Sequence, residues 1–273
     1  MDIIIIFIKY KYLTYYIINM VKTYKMRDKS DNFTIKKTNG VFSLPARILG
    51  IGKTGCGKSS ICLGNFLLLP EFYRNDFLPE DIYIFSGSLH GDLKLKTIIE
   101  QLEIPSENCF DSFDEDVGHI IYDNIIDNFN EAIENNCSPS HSLIVFDDLG
   151  YTNMMNKNKK NSILDKLFSN SRKFSCSILC LGQRITQFSS NMREQANAIV
   201  LFKASKKQKE LIEQDFNYLP SKKQFMDMLS CHTQGKNDYM VIDLNDPNEH
   251  IYKDKNFKKI CTCPDKLKKC GGV

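Results

Sequence analysis

Eight consecutive residues in the first quarter of the chain have the types and spacing that could bind a chain of phosphates. They run Gly52-Lys53-Thr54-Gly55-Cys56-Gly57-Lys58-Ser59 and fit the pattern G-x-x-x-x-G-K-[ST] at every fixed position. In this pattern the glycines let the backbone turn tightly, the lysine reaches the β- and γ-phosphates, and the serine hydroxyl binds Mg²⁺. The apolar stretches 48–51 and 61–69 on either side predict the strand–loop–helix setting that this P-loop requires.

The P-loop therefore predicts a site for ATP and Mg²⁺. Its residues would be Gly52, Thr54, Gly55, Cys56, Gly57, Lys58, Ser59 and Ser60. The alternative is a glycine-rich turn in an unrelated fold.

Two adjacent carboxylates are the second group with chemical potential. Asp147 and Asp148 come directly after the apolar run 143–146. A parallel strand ends at the sheet edge where a P-loop nucleotide sits, so Asp147 is expected to hold Mg²⁺ opposite Ser59. Asp148 would then orient or deprotonate the attacking water, and this carboxylate pair favours hydrolysis over binding alone. On its own the pattern is weak, since apolar strands often end in aspartate at a turn.

A glutamine follows the next predicted buried strand. Residues 176–181 are mostly apolar and lead directly into Gly182 and Gln183. This strand can lie beside the strand that ends in the carboxylates, which would bring Gln183 near the γ-phosphate. An amide at that position can both donate to phosphate and hold water. The alternative is a loop glutamine with no task.

Strands and helices alternate along the rest of the chain. Strands are predicted at 48–51, 81–86, 109–113, 142–146, 176–181, 198–202 and 238–244, and helices at 59–69, 92–102, 117–135, 162–172, 206–216 and 221–229. This alternation indicates an α/β fold with a mainly parallel sheet and helices on both faces. Together with the P-loop, this pattern resembles the P-loop NTPases of the RecA/ASCE-like kind.

Composition is that of an ordinary globular chain, with 273 residues of which 42% are hydrophobic and 25% charged. Among its cysteines, Cys62, Cys176 and Cys180 lie in apolar runs where a thiol packs as a small hydrophobe, so we expect a soluble protein of a reducing compartment. The net charge of +3 is unevenly placed, because the last 21 residues hold seven Lys and two Asp. A basic tail suggests a polyanion as partner, and a solvated disordered tail is the alternative.

Three segments are expected: an N-terminal extension at 1–40, an ATPase domain at 41–250 and a basic, cysteine-containing tail at 251–273. Two lysines interrupt the apolar N-terminus early, so an extension outside the fold is favoured over a membrane segment. In the tail, Cys261, Cys263 and Cys270 are irregularly spaced for a zinc site, and contact with DNA phosphates is favoured.

Taken together, these motifs resemble a known family. The P-loop, the strand ending in Asp147-Asp148 and the strand ending in Gln183 are similar to those of the FtsK–HerA class of DNA-pumping ATPases. Within that class, the segment 181–202 resembles the DNA-packaging ATPases of poxviruses, giant viruses and virophages. The parts that carry this resemblance are Gln183-Arg184-Ile185-Thr186-Gln187, Asn191-Met192-Arg193 and the strand 198–202. The resemblance covers about residues 47–244, which is most of the chain.

The resemblance implies a role for each matching residue. Lys58 and Ser59 would bind ATP and Mg²⁺, Asp147 would bind the metal, Asp148 would be the catalytic carboxylate and Gln183 the sensor.

It also implies partners. Such ATPases act as homo-oligomeric rings in which an arginine of one subunit reaches the neighbour's ATP, and Arg172 is the first candidate, before Arg193 and Arg184. Double-stranded DNA is the expected substrate and capsid proteins are further expected partners, while a membrane is not. The expected location is the virion or the site of viral assembly.

Two other functions stay open. A ParA-type partitioning ATPase would account for Lys53, five residues before Lys58, although that family's glycine pair is here Thr54-Gly55. A nucleotide-binding assembly or scaffold protein without motor activity would use the apolar N-terminus as an anchor. The intact carboxylates Asp147 and Asp148 argue against such an inactive protein.

Overall fold

One eight-stranded sheet forms the centre of the computed structural model, which describes residues 33–37, 39–149, 162–247 and 250–262. Its strands are β1 (Arg47–Ile51), β2 (Ile82–Ser86), β3 (Cys109–Phe110), β4 (Ser142–Asp147), β5 (Cys176–Gly182), β6 (Ala198–Phe202), β7 (Tyr239–Asp243) and β8 (Tyr252–Lys253). Their order across the sheet is β3-β2-β4-β5-β1-β6-β7-β8.

Most neighbouring strands are parallel, which confirms the prediction of a mainly parallel sheet. All pairs from β3 across to β6 are parallel, while β7 and β8 add two antiparallel pairs at one edge. Strand β5 therefore lies between β1, which leads into the P-loop, and β4, which leads into the two carboxylates.

Helices cover both faces of the sheet, as predicted. They are α1 (a π-helical stretch Ser59–Asn65 continued by Phe66–Leu68), α2 (Leu93–Leu102), α3 (Glu115–Glu134), α4 (Ile163–Asn170), α5 (Ser190–Gln195), α6 (Lys206–Phe216) and α7 (Lys222–His232). Each predicted helix is present, with ends that differ by a few residues. The short helix α5 is additional; Ser189 caps it by accepting the Met192 N–H.

Alternation along the central strands builds two hydrophobic cores. In β1, Leu49 faces the core that contains α3, α4, α6 and α7, whereas Ile48 faces the core that contains α1, α2 and residues 41–46. Successive side chains of a strand point to opposite faces, so a buried strand must be apolar throughout. Cys62, Cys176 and Cys180 are all buried in these cores, which confirms that they pack as small hydrophobes.

Residues beyond 250, predicted to form a basic tail, pack against the domain as far as Ile260. Strand β8 pairs with β7, and four apolar side chains beyond residue 250 are buried: Ile251, Tyr252, Phe257 and Ile260. Lys253, one of the lysines assigned to the basic tail, is buried as well. Its ammonium lies 2.8 Å from Asp243 Oδ2, 2.9 Å from Asp246 Oδ2 and 2.8 Å from the Gly40 carbonyl.

Residues 33–40, assigned to the N-terminal extension, also contact the domain where they are described. The backbones of Ile35 and Leu44 exchange two hydrogen bonds of 2.9 Å, and the Phe33 ring packs edge-on against Phe129. The predictions made for residues 1–32 and for Cys263 and Cys270 lie outside the described residues. Within the described ranges, no helix is long and apolar enough to cross a membrane.

Candidate functional site

The carboxyl ends of β1, β4 and β5 open onto a cleft with a volume of about 420 Å³. Ile51 pairs with Gly182 in the sheet, and the Gly52 N–H donates to the Gly182 carbonyl over 3.1 Å. The P-loop and the segment that follows β5 therefore leave the sheet side by side. This edge is where ligands bind in open α/β sheets.

The P-loop has the backbone geometry that its glycines allow. Gly55 and Gly57 have φ angles of 75° and 100°, in the left-handed region that favours glycine. The Lys58 ammonium folds back along the loop and donates to the carbonyls of Gly52 and Lys53 over 2.8 Å and 3.1 Å. The lysine charge is thereby held inside the curve of the loop.

Of the predicted nucleotide-binding residues, six line the cleft: Thr54, Gly55, Gly57, Lys58, Ser59 and Ser60. Gly52 and Cys56 do not; they lie beneath it. A Cβ atom at Gly52 would lie 2.5 Å from Phe202 Cβ and 2.7 Å from Cys56 Sγ. Gly52 is therefore required for close packing of the loop on β6, and Cys56 supplies a buried thiol to that contact.

Asp147 and Ser59 meet across the cleft. The Ser59 hydroxyl donates to Asp147 Oδ2 over 3.1 Å, and Asp147 is only 3% exposed. Burial raises the pKa of Asp147 from its ordinary value of 3.8 to about 6. The Ser59 hydroxyl opposes this rise and the charge of Asp148 adds to it. The arrangement is a buried carboxylate with one hydroxyl partner and a destabilised negative charge.

Asp148 and Gln183 approach each other from neighbouring strands. The Gln183 amide Nε2 lies 3.5 Å from Asp148 Oδ1, at the long limit for a hydrogen bond. Asp148 has a φ of 47°, an unusual conformation for a residue other than glycine, and it is exposed whereas Asp147 is buried. Both side chains line the cleft, as the order β1-β5-β4 requires.

The segment after β5 is fixed by a second glutamine. Gln187 Oε1 accepts hydrogen bonds from the N–H groups of Gln183 and Arg184, over 2.6 Å and 2.9 Å. A Cβ atom at Gly182 would lie 2.6 Å from the Phe188 ring, so the turn is tightly packed. Gln187 therefore holds the backbone from which the Gln183 side chain reaches Asp148.

The three candidate arginines lie in different places. Arg172 is exposed and precedes the amino end of β5, at the edge of the sheet opposite the cleft, where its charge acts on Arg47. Arg193 forms an ion pair with Asp215 of its own chain. Arg184 directly follows Gln183 and is exposed. None of the three is among the residues that line the cleft.

Residues outside the motifs also line the cleft. Lys94, in the first turn of α2, donates to the Ser60 hydroxyl over 3.0 Å, and Ser88 and Asp92 lie on the same side. Lys236 and Asn237 line the cleft from the loop before β7. No local pattern marks these residues in the sequence, because only the folding of distant segments brings them to the P-loop.

A family model described as "Poxvirus A32 protein" matches residues 108–267, more than half of the chain. The chain belongs to the poxvirus A32 protein family. The matched region begins after the P-loop and includes both carboxylates and the segment 181–202, so the predicted resemblance is confirmed on its more specific part. Membership of this family favours the packaging prediction over a ParA-type ATPase.

Solved structures share the fold. The ATPase 2 and 3 region of EssC from Geobacillus thermodenitrificans superposes with a TM-score of 0.52 at 10% identity, covering 73% of this chain and 38% of that one. The genome packaging NTPase B204 of Sulfolobus turreted icosahedral virus 2, in complex with AMP, gives a TM-score of 0.49 at 14% identity, with 73% and 93% covered. No curated protein sequence matches this chain. The superposition on EssC thus shows that the A32 chain has the predicted P-loop NTPase fold.

Proposed function

We propose that this A32 family protein is an ATP-hydrolysing motor that moves double-stranded DNA and packages a viral genome into its capsid. Family membership supports the packaging role. The observation that carries the proposal is the meeting of five side chains at one edge of the sheet. Lys58 and Ser59 follow β1, Asp147 and Asp148 lie at the end of β4, and Gln183 follows β5. A protein that only bound nucleotide would not need the second carboxylate facing the cleft.

The residues present suit a magnesium ion. Ser59 and Asp147 offer a hydroxyl and a carboxylate oxygen, which are the hard ligands that Mg²⁺ prefers. The raised pKa of Asp147 supports this role, because among the described side chains the buried carboxylate has only the Ser59 hydroxyl as a hydrogen-bond partner. When bound, the ion would be held by Ser59 and Asp147 and would neutralise the negative charge that develops on the phosphates.

The other residues take separate parts in hydrolysis. Lys58 and the N–H groups of the P-loop bind the phosphates, and the N-terminal end of α1 points at them. Asp148 accepts a proton from the water as that water attacks the γ-phosphorus, while the bond from the γ-phosphorus to the β–γ bridging oxygen breaks and ADP leaves. Gln183, held by Gln187, donates to the γ-phosphate or to the same water. Asp148 and Gln183 lie close enough to contact one water between them.

We further propose that the protein works as a homo-oligomeric ring with an arginine acting on the neighbour's ATP. Arg172 remains the first candidate because it is exposed and far from its own cleft, as a group that serves another subunit must be. Arg193 is engaged by Asp215, and Arg184 lies beside its own cleft. Capsid proteins are the proposed partners, and the virion or the viral assembly site is the proposed location.

ATP hydrolysis with and without double-stranded DNA tests the proposal. The wild-type protein should hydrolyse ATP faster with DNA, and Asp148→Asn should lower kcat by about 10²- to 10⁴-fold while ATP binding is kept. Lys58→Ala should lose binding itself. Asp123→Asn, an exposed carboxylate on α3, is the matched control and should behave as wild type. Equal hydrolysis by wild type and Asp148→Asn would refute the assignment of the cleft, and hydrolysis indifferent to DNA would refute the motor.

A further inference from the structure

The loop between α7 and β7 forms one wall of the cleft, on the side opposite to the two carboxylates. Lys236 and Asn237 of this loop line the cleft together with the P-loop. The segment lies outside every motif described above. Its proximity to the P-loop follows from the antiparallel strand β7, which starts beside the carboxyl end of β6.

Asn237 packs directly on the P-loop. A Cβ atom at Gly57 would lie 2.4 Å from Asn237 Oδ1 and 3.1 Å from Asn237 Cγ, so the two residues are in close contact. Asn237 also has a φ of 68°, which asparagine tolerates better than most residues. The carboxamide is thus held beside the P-loop by an uncommon backbone conformation.

Several hydrogen bonds fix the loop in this position. The Lys203 carbonyl accepts from the Lys53 N–H over 3.3 Å, and the Lys203 ammonium donates to the Gln234 carbonyl over 3.2 Å. Lys203 is therefore hydrogen-bonded both to the P-loop and to the loop 234–238. Asp238 adds a second tie, since its carboxylate accepts from the Gly235 N–H over 3.0 Å and from the Lys255 ammonium over 2.9 Å.

The strand order determines which end of a nucleotide would meet this wall. Strands β5 and β4 lie on one side of β1 and carry Gln183 and the two carboxylates, whereas β6 and β7 lie on the other side. The γ-phosphate must face the side that carries Asp148. The nucleoside at the other end of the triphosphate must then leave the P-loop on the side of β6 and β7, where Asn237 lies.

We propose that Asn237 binds the nucleoside part of the nucleotide, through its ribose hydroxyls or the polar edge of its base. This inference rests on the proposed function of the cleft. A carboxamide carries both donors and an acceptor, which suits hydroxyl and base-edge groups. Asn237 is exposed on the cleft side, so this hydrogen-bonding capacity is accessible to a ligand.

Binding of ATP and of inorganic tripolyphosphate to the full chain separates this role from a structural one. Asn237→Gly removes the carboxamide and still permits the positive φ, so backbone strain is not introduced. It should raise the Kd for ATP about tenfold, as the loss of a good hydrogen bond does, and change the Kd for tripolyphosphate by less than about twofold. Asn130→Ala, at an exposed position of α3, is the control and should change neither.

Equal weakening of ATP and tripolyphosphate would overturn the proposal, because it would mean that Asn237 acts on the phosphates or on the shape of the P-loop. Unchanged binding of both would overturn it too. A wild-type protein that bound neither compound would instead refute the proposed function of the cleft, and that result is recognised without any variant.

Discussion

Replacing Asp147 by asparagine should stabilise the protein in the absence of Mg²⁺ and nucleotide, although it removes a residue proposed to bind the metal. Asp147 is 3% exposed and its only hydrogen-bond partner among the described side chains is the Ser59 hydroxyl. Asparagine has nearly the same shape and can still accept that hydrogen bond. The substitution therefore removes the cost of a buried charge and little else.

The size of this effect follows from the pKa of Asp147. Burial raises it from 3.8 to about 6, and this difference of about two units corresponds to about 3 kcal/mol. Below pH 4 the carboxyl is protonated in both the folded and the unfolded protein, so it costs nothing. As the pH rises towards 6, the unfolded chain loses this proton while the folded protein retains it, and the free energy of unfolding falls. Above about pH 6 the full cost is present.

Urea unfolding in EDTA, at a series of pH values from 4 to 8, measures this difference. Asp147→Asn should be more stable than wild type by up to about 3 kcal/mol at pH 7.5, and the gain should vanish near pH 4. Adding Mg²⁺ and ATP should stabilise the wild type and have little effect on the variant. Asp148→Asn, at the exposed neighbouring position, should change stability by less than about 0.5 kcal/mol. A variant less stable than wild type at pH 7.5, or a gain that did not depend on pH, would refute the reasoning.

Two further substitutions test other parts of the structure. Lys253→Met should destabilise the protein by about 3 to 5 kcal/mol in the same unfolding assay, because it leaves the buried Asp243 carboxylate without its nearest cation. Gly57→Ala should abolish ATP binding, measured by calorimetry, because a Cβ atom would meet Asn237 and because the φ of 100° is unfavourable for alanine.

Each of these has a matched comparison in the same chain. Lys96→Met removes an exposed lysine paired with Glu100 at 3.9 Å and should cost less than about 0.5 kcal/mol. Gly64→Ala lies in α1, where the nearest atom to an added Cβ is 4.0 Å away, and should leave ATP binding intact. A Lys253→Met variant as stable as Lys96→Met would contradict the buried ion pair, and ATP binding by Gly57→Ala would contradict the close contact with Asn237.

Much of the fold and of the candidate site follows from local signals in the sequence. The P-loop is contiguous, and Asp147 and Gln183 each stand at the end of an apolar run that is long enough to be read as a buried strand. Parallel strands end at one edge of a sheet, so the side chains that follow them meet there without further information. The contact between Ser59 and Asp147 spans 88 positions in the sequence and still follows from this rule.

Other features depend on contacts that no local pattern records. Strand β8 has only two residues, and the surrounding lysines predicted a basic tail outside the domain, whereas Lys253 is buried against Asp243. Asn237 reaches the P-loop because β7 runs antiparallel to β6, a direction that strand periodicity does not specify.

Displacement of a third strand from a linear DNA triplex tests the motor most directly, because a protein that moves along the duplex strips the third strand as it advances. The wild-type protein should displace the strand only when ATP and Mg²⁺ are present, and Asp148→Asn should bind ATP and displace none. ATP hydrolysis at the full DNA-stimulated rate without displacement would contradict the account, as would displacement by Asp148→Asn.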